Sequence, residues 1–410
     1  MSCFPAEAAV GAELHRSFLR GFCVAWALLC WPDPARGAVG ACGGVEAQCL
    51  ADVSATLRFD GSAAVELQIG DQILERDLQD LGFIDSVGQV VVEGALVGAS
   101  AFLFVSGDAP AGESPFGENL AWLVNSGVAV SVDVRGDSGG WIAAFRQAKL
   151  DRGCERWVFR DCPFCSDWLR LLDRMGCDSL ELWGCVAVAG RLGVDSRPSR
   201  LLSCKSLVLA APLASSLNGG GAVLCDDLLA SLDGCVATEL SLIGWEVAPA
   251  VGARLAALAP EIERLESRDC VWRDGSQALL LRSSLLSLCI EGDVVDWGSL
   301  WMRLAHREVR LLELEVEVLE LVASSDGAEH WSDVLGGLES LVVYGPGDGV
   351  DVARLLNLTS LKLLDLTGCD FRSIGFGCVA SEVSLEVLGL HRCEWGGGGG
   401  GRASRELRSL

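Results

Sequence analysis

The chain has 410 residues, half of them apolar, and its 56 acidic against 32 basic side chains leave a formal charge of −24. That length and apolar content allow a large buried core. A polyanion of this size repels phosphate backbones, so nucleic acid is not an expected partner, and basic partners are favoured where charge matters.

Only Lys149, Lys205 and Lys362 are lysines, and arginine replaces lysine everywhere else, which reads as a usage bias and not as a site. Residues 1–50 contain the apolar run Gly21 to Trp31, preceded by His15, Arg16 and Arg20 and followed by the small pair Ala35 and Gly37. Residues 1–37 therefore read either as a secretory signal peptide or as part of a buried helix that caps the fold. Glu7 and Glu13 oppose the first reading. The run is too short for a bilayer, which needs roughly 20 apolar residues, so no transmembrane span is expected.

Between residues 51 and 150, Leu57-x-Phe59, Val90-x-Val92 and Val132-x-Val134 are short alternating starts of strands, read as divergent repeats behind an N-terminal cap. The last of them runs into Gly136-Asp137-Ser138-Gly139-Gly140, which spells the nucleophile string of trypsin-like serine proteases. That chemistry needs a histidine base and an orienting aspartate. Of His15, His306, His330 and His391 only the first precedes the serine, and it sits in the leader. A glycine-rich turn after a strand accounts for the string, and a serine hydrolase at Ser138 is the remote alternative. Arg135-Gly136-Asp137-Ser138 overlaps it as an integrin-type string, which matters only in a secreted chain.

From residue 151 to 395 the chain repeats itself. Ser360-Leu361-Lys362-Leu363-Leu364-Asp365-Leu366-Thr367-Gly368-Cys369-Asp370-Phe371 matches Ser384-Leu385-Glu386-Val387-Leu388-Gly389-Leu390-His391-Arg392-Cys393-Glu394-Trp395 as L-x-x-L-x-L-x-x-C-x-aromatic. Trp157-x-Phe159-x-x-Cys162-x-Phe164, Leu180-x-Leu182-x-x-Cys185 and Leu265-x-Ser267-x-x-Cys270-x-Trp272 fit the same template. The strand anchors are residues 157, 180, 207, 240, 265, 288, 312, 341, 364 and 388, a mean spacing of about 26, within the usual 20–29 of one repeat family. Alternating L-x-L puts two side chains on one face of a strand that cannot bury them alone, so the copies must stack. Asp167-Trp168-Leu169-Arg170-Leu171-Leu172 and Asp351-Val352-Ala353-Arg354-Leu355-Leu356 begin with an acid and continue with helical spacing, which predicts a short helix in each coil.

Over residues 154–395 the chain resembles the leucine-rich-repeat superfamily, in particular its cysteine-containing class. The resemblance implies an α/β solenoid, a horseshoe with a parallel concave sheet and short helices or irregular coils on the convex side. It also implies that Cys162, Cys185, Cys270, Cys369 and Cys393 point inward in a ladder of weak bonds to backbone. Pro212, Trp245, Asp293, Glu317 and Pro346 depart from that pattern, so those turns are expected to differ. Cys162-Pro163-Phe164-Cys165 is a CxxC with no second pair in the chain, and the ladder position already explains Cys162. Repeated buried thiols point to reduced cysteine and an intracellular, cytoplasmic chain, whereas the leader and the sequon Asn357-Leu358-Thr359 point to secretion. Residues 396–410 open with six glycines and read as a flexible tail.

On such folds the unburied strand residues line the concave face, an extended surface suited to a partner. In this register the face carries Arg160, Trp183, Ile243, Arg268, Glu291, Glu315, Tyr344, Thr367 and His391, together with Val208, Ser241, Glu266, Glu313 and Asp365. The resulting expectation is a non-enzymatic scaffold that binds a protein ligand on this face, with no cofactor and no metal. An intracellular adaptor, similar to the cysteine-containing repeat subunits that present substrates to ubiquitin ligases, is favoured over a secreted or surface recognition protein. Trp183, Ile243 and Tyr344 are the candidate anchors, since aromatic and large apolar groups dominate interface energetics.

Overall fold

A strand that alternates apolar and polar residues buries one face only, and the burial along this chain alternates in that way. Ser100–Val105, Ala129–Arg135, Arg264–Arg268 and Leu363–Thr367 each switch between buried and half-buried at every step. The computed structural model describes residues 63–69, 72–77, 79, 99–106, 109, 114–136, 139–150, 152–188, 202–212, 222–273, 276, 280–293, 297–317, 319, 330–344, 358–368, 370–371, 385–391 and 394–395. All of them lie within the unit Arg58–Leu410. The leader, Leu57-x-Phe59, Val90-x-Val92, Asp137, Ser138, Pro346, Asn357, Cys369, Cys393 and the glycine-rich tail lie outside the described residues.

The fold is α/β, built on one open, mostly parallel sheet of 14 strands. A hairpin of β1 (Ala63–Ile69) and β2 (Gln72–Asp77) pairs antiparallel to β3 (Ser100–Val105) at one end. From β3 onward every neighbour is parallel: β4 (Ala129–Arg135), β5 (Cys154–Arg160), β7 (Cys177–Trp183), β9 (Leu202–Ala210), β11 (Cys235–Ile243) and β13 (Arg264–Arg268). The sheet continues through β15 (Ser287–Glu291), β16 (Glu313–Val316), β17 (Ser340–Val343), β18 (Leu363–Thr367) and β20 (Val387–His391). Short strands follow several of these as a second, smaller layer. They are β6 (Pro163–Phe164) with β8 (Val186–Ala187), then β10 (Ala222–Val223), β12 (Trp245–Val247) and β14 (Val271–Trp272), then β19 (Asp370–Phe371) with β21 (Glu394–Trp395).

Helices fill several connections: α1 (Phe116–Asn125), α2 (Trp141–Gln147), α3 (Ser166–Met175), α4 (Asp226–Ser231), α5 (Pro249–Leu258), α6 (Trp297–His306) and α7 (His330–Leu335); α3 covers the helix expected from Asp167, whereas the one expected at Asp351–Leu356 lies outside the described residues. Their apolar faces enter one continuous core with the strands. In α3, Asp167 opens the first turn and Trp168, Leu169, Leu171, Leu172 and Met175 are buried, while Asp173 and Arg174 face out. The end of the core near β4 and β5 is aromatic. Phe145 lies 5.1 Å from Trp157 and 5.2 Å from Phe116, and Phe159 lies 4.9 Å from Trp168, all edge-on.

The strand anchors align almost as read. Trp157, Leu180, Leu207, Leu240, Leu265 and Leu288 are successive register partners, as are Leu341, Leu364 and Leu388. The exception is the anchor at Leu312. Leu314, not Leu312, pairs with Leu288 and Leu341, because Leu314 and Val316 are buried while Leu312 is 38% exposed. The slip is two residues, so it leaves each side chain on its original face. It also moves the inward position from Glu317 to Leu319, which is fully buried.

One feature of the turns is absent from the template. The fourth residue after the anchor takes a left-handed backbone in seven coils: Gly136, Asp161, Gly184, Gly244, Asp269, Gly292 and Gly368, with φ between 49° and 73°. Its N–H donates across to the next strand, as from Gly184 to the Ala210 carbonyl at 2.9 Å and from Gly244 to the Arg268 carbonyl at 2.8 Å. At Gly184 the space is also taken, since a Cβ there would run into Oδ1 of Asp161. Gly184→Ala is expected to lower stability by about 1–3 kcal/mol. In an Asp161→Gly background the loss should shrink, because one of its two causes is gone, and a denaturation double-mutant cycle measures the coupling.

Candidate functional face

Each coil offers three chemically distinct places: the core side of its strand, the inward position of the turn, and the opposite, open side of the strand. The inward position behaves as the resemblance implies, with a wider membership. Cys185 Sγ donates to the Phe159 carbonyl at 3.3 Å, and Cys270 Sγ to the Leu242 carbonyl at 3.4 Å. Cys162 makes the equivalent, longer contact to Val134 at 3.9 Å. Trp245, one of the departures, does the same work with its indole, donating from Nε1 to the Leu209 carbonyl at 2.8 Å. The second cysteine of the CxxC, Cys165, stands at the N-cap of α3, while Cys162 lies 3.7 Å from Cys185 Sγ, its neighbour in the ladder.

Asp293 is the acidic member of the series. Its carboxylate accepts from the Cys270 N–H at 2.6 Å, from Trp272 Nε1 at 3.1 Å and from the Ser267 hydroxyl. Burial nevertheless dominates these three donors and pushes its pKa up to about 6. The folded chain therefore holds a proton there that the unfolded chain releases at its ordinary value of 3.8. The contribution to stability is fully present below about pH 4 and is lost as pH rises through 6.

The cysteines on the strands are buried too. Cys204 and Cys235 sit on adjacent strands with their sulfurs 3.4 Å apart, a thiol hydrogen bond that lowers the pKa of Cys204 and raises that of Cys235. Burial alone raises Cys154 to about 12. These are packing thiols, and burial holds Cys154 protonated at neutral pH. Among the described residues no group of three or more His, Cys, Asp and Glu side chains is placed to hold a metal ion. No helix among them is long and apolar enough to cross a membrane.

The open side of the sheet gathers the residues selected from the sequence, and it divides into three stretches. The first, over β4, β5 and β7, is a closed network. Asp133 accepts from Arg135 Nε at 3.1 Å and from Arg160 Nε at 3.0 Å. The Arg160 guanidinium lies over the Trp183 ring at 5.3 Å, Trp183 Nε1 donates to Glu181 Oε2 at 3.0 Å, and Glu181 Oε1 accepts from Arg156 Nε at 2.6 Å. Sequence reading selected Arg160 and Trp183 and missed the partners that fix them, Asp133, Arg135, Arg156 and Glu181. The signal was available, since those four occupy the same alternate positions one residue before, one after or three after their anchors.

The second stretch, over β9 and β11, is weakly polar, with Val208 and Ile243 half-buried. Ser241, expected to be exposed here, is only 8% exposed, because it is a small residue between its register partners Val208 and Glu266. The third stretch, from β13 to β20, is open and acidic. Arg268 lies between Glu266 at 2.5 Å and Glu291 at 3.3 Å. Burial pulls the Arg268 pKa down, and the surrounding carboxylates overcome that and leave it raised. Glu291 is raised by burial and by the like charges of Asp269, Glu315 and Glu317, against the pull of Arg268. Tyr344, 36% exposed, donates its hydroxyl to Glu315 Oε1 at 2.8 Å. Asp365 leans over Gly389, where a Cβ would meet its Oδ1 at 2.7 Å, and His391 Nε2 lies 3.8 Å from that oxygen. Thr367 is half-buried beside them.

No family model, no curated protein and no solved structure matches the chain.

The pH behaviour of Asp293 gives a direct check. Asp293→Asn keeps an acceptor for Cys270 and removes the titration. The unfolding free energy of the native chain minus that of the variant should rise by up to ~3 kcal/mol as pH falls from 7.5 to 4. A difference independent of pH in urea titrations would refute the assignment.

Proposed function

We propose that the chain is a leucine-rich-repeat solenoid of the cysteine-containing class, acting as a scaffold that binds a protein ligand on the open face of its sheet. The observation that carries this reading is a contrast between the two faces of the same strands. On the core face, equivalent positions are apolar in coil after coil, with Ser267 the exception among the described strands. On the open face, at the third residue after successive anchors, they run Arg160, Trp183, Ala210, Ile243, Arg268 and Glu291. Packing has no use for such variety, and recognition of one partner does.

Support also comes from exposure. Glu313 and His391 keep 57% and 54% of their side-chain surface, and Val387 keeps 43%. Parallel strands spaced about 4.8 Å apart make a face of roughly 50 Å from β3 to β20. A standard interface needs about 800 Å² on each side, which a face of that length provides. The first stretch fits a rigid platform, since its charges are already paired. The second and third stretches fit the contact region, because Ile243, Glu291 and Tyr344 offer apolar, charged and aromatic groups that stay partly exposed. An adaptor role inside the cell suits the free, buried packing thiols.

The reading is tested by affinity capture with the native chain, a triple variant Ile243→Ala, Glu291→Ala, Tyr344→Ala, and a control Met302→Ala on the exposed side of α6, where Met302 is 49% exposed. A partner retained by the native chain and the control should be lost from the triple variant, at least tenfold in Kd if one anchor contributes about 1.4 kcal/mol or more. Equal retention by all three proteins overturns the reading.

A further inference from the structure

Cys162 opens a CxxC, yet its sulfur lies 3.7 Å from Cys185 Sγ in the next coil. The two backbones are placed for a covalent bond. Pro163 and Val186 are register partners in β6 and β8, and one step earlier the same register matches Cys162 with Cys185. Adjacent strands stand about 4.8 Å apart, inside the roughly 4.4–6.8 Å of Cα separation that a disulfide spans. Cys204 and Cys235 make the contrast. Their sulfurs are closer, at 3.4 Å, but Cys204 is in register with Ala237, so the pair is offset along the strands. An offset of about 6.6 Å added to the strand spacing puts those Cα atoms roughly 8 Å apart, too far to bridge unless the backbone moves.

The same ladder bonds set the balance between thiol and disulfide. Cys185 Sγ donates to the Phe159 carbonyl at 3.3 Å and Cys162 Sγ to the Val134 carbonyl at 3.9 Å. A disulfide has no S–H, so oxidation removes both bonds, which favours the thiols and leaves any bridge easy to reduce. When Cys185 ionises it accepts from Cys162, and that hydrogen bond lowers its pKa against the opposing effect of burial. Both sulfurs are buried, but each is one residue from the surface. Asp161 beside Cys162 is exposed, and Val186 beside Cys185 is 57% exposed. A small oxidant reaches them through local opening of that rim.

We propose that Cys162 and Cys185 are a reversible redox pair, which a peroxide oxidises to a disulfide that ties the β5 and β7 coils together directly beyond Arg160 and Trp183. The ionised Cys185 sulfur attacks one peroxide oxygen: an S–O bond forms, the O–O bond breaks, and the departing hydroxide takes up the Cys185 proton as water. Cys162 Sγ then attacks the Cys185 sulfur: the S–S bond forms, the S–O bond breaks, and the second hydroxide leaves as water with the Cys162 proton. Two thiols give up two electrons and two protons, and the peroxide is reduced to two waters. A bond at this place pins the two turns that carry Asp161 and Gly184. Transient disulfides of this kind are the ones that reducing compartments tolerate.

Hydrogen peroxide tests this on the full native chain, with exposed thiols such as Cys225 first alkylated under native conditions. Digestion without reductant and mass spectrometry should recover the Cys162–Cys185 bridge at least about tenfold over any Cys204–Cys235 bridge, and dithiothreitol should reverse it. The Asp161 and Val186 amides donate to the Trp183 and Cys162 carbonyls at 2.8 and 3.4 Å. In the bridged chain they should exchange hydrogen at least about tenfold more slowly. The mapping needs no variant, so misfolding cannot imitate a negative result. A Cys162→Ala chain adds a second readout, since Cys185 should then stop at the sulfenic acid, trapped by a 1,3-diketone. Intact thiols at Cys162 and Cys185, at a peroxide dose that bridges the urea-unfolded chain, overturn the proposal. A bridge from Cys162 to Cys165 does so as well, as does sulfinic acid at Cys185 in the native chain. Unchanged amide exchange in a bridged chain overturns the pinning of the turns.

Discussion

A peptide N–H that leaves the end of a parallel strand has a partner only if the next strand ends at the same height. This chain meets that condition repeatedly: the N–H groups of Asp161, Gly184, Ala211, Gly244, Asp269 and Gly368 each donate to the carbonyl of the neighbouring strand's last or adjacent residue, at 2.7–2.9 Å. To aim the N–H there while turning the chain inward, the backbone enters the left-handed region in most of these coils, which is why glycine or aspartate stands at the position. The next side chain then faces the interior, where cysteine and tryptophan donate to a carbonyl left over on the strand before. Asp293 at the same position instead accepts from the turn of the preceding coil, and Leu319 fills it with an apolar side chain. Register, turn and inward ladder are thus one constraint seen from three sides.

That constraint explains what could be read from residues alone. The L-x-L anchors are legible because a buried pair on every strand has no substitute, and the alternation fixes its face. The ladder cysteines are legible for the same reason. Leu312 misled because Leu312-x-Leu314 and Leu314-x-Val316 are equally good alternations, and only the neighbouring strands choose between them; the second pair is the one that Leu288 and Leu341 meet. The glycines Gly136, Gly184, Gly244, Gly292 and Gly368 also stand at a fixed distance from the anchor, which marks the left-handed step in the sequence. Trp245 departs from the template only in residue type, since its indole donates to a strand carbonyl as the ladder cysteines do.

The candidate face was legible as positions and not as interactions. Arg160 and Trp183 were correctly placed on the open side, but their value as free anchors was overestimated. Arg160 is held by Asp133 and stacked on Trp183, and Trp183 spends its N–H on Glu181. A charge-assisted lattice of this kind, half withdrawn from water, contributes more by holding side chains still than by attracting anything new. The sequence shows two arginines and an aromatic in either case. Only the pairing across strands reveals that these charges cancel locally, and that those between β13 and β20 do not.

The difference between the two ends of the face follows from how much each coil can neutralise itself. Over β4, β5 and β7 each carboxylate has an arginine on its own strand or the next. Over β13 to β20 the same positions carry Glu266, Glu291, Glu315 and Asp365 around a single Arg268, and the raised pKa of Glu291 registers the crowding. A fold that needed these side chains for stability would not keep like charges on adjacent strands, since each such pair works against the compact state. The sheet tolerates them because its cohesion lies underneath, in the core face and the turns. What remains on the open side is an electrostatic deficit in a fixed geometry, and a fixed deficit is a specification: it states the sign, the number and the spacing of the charges that would complete it.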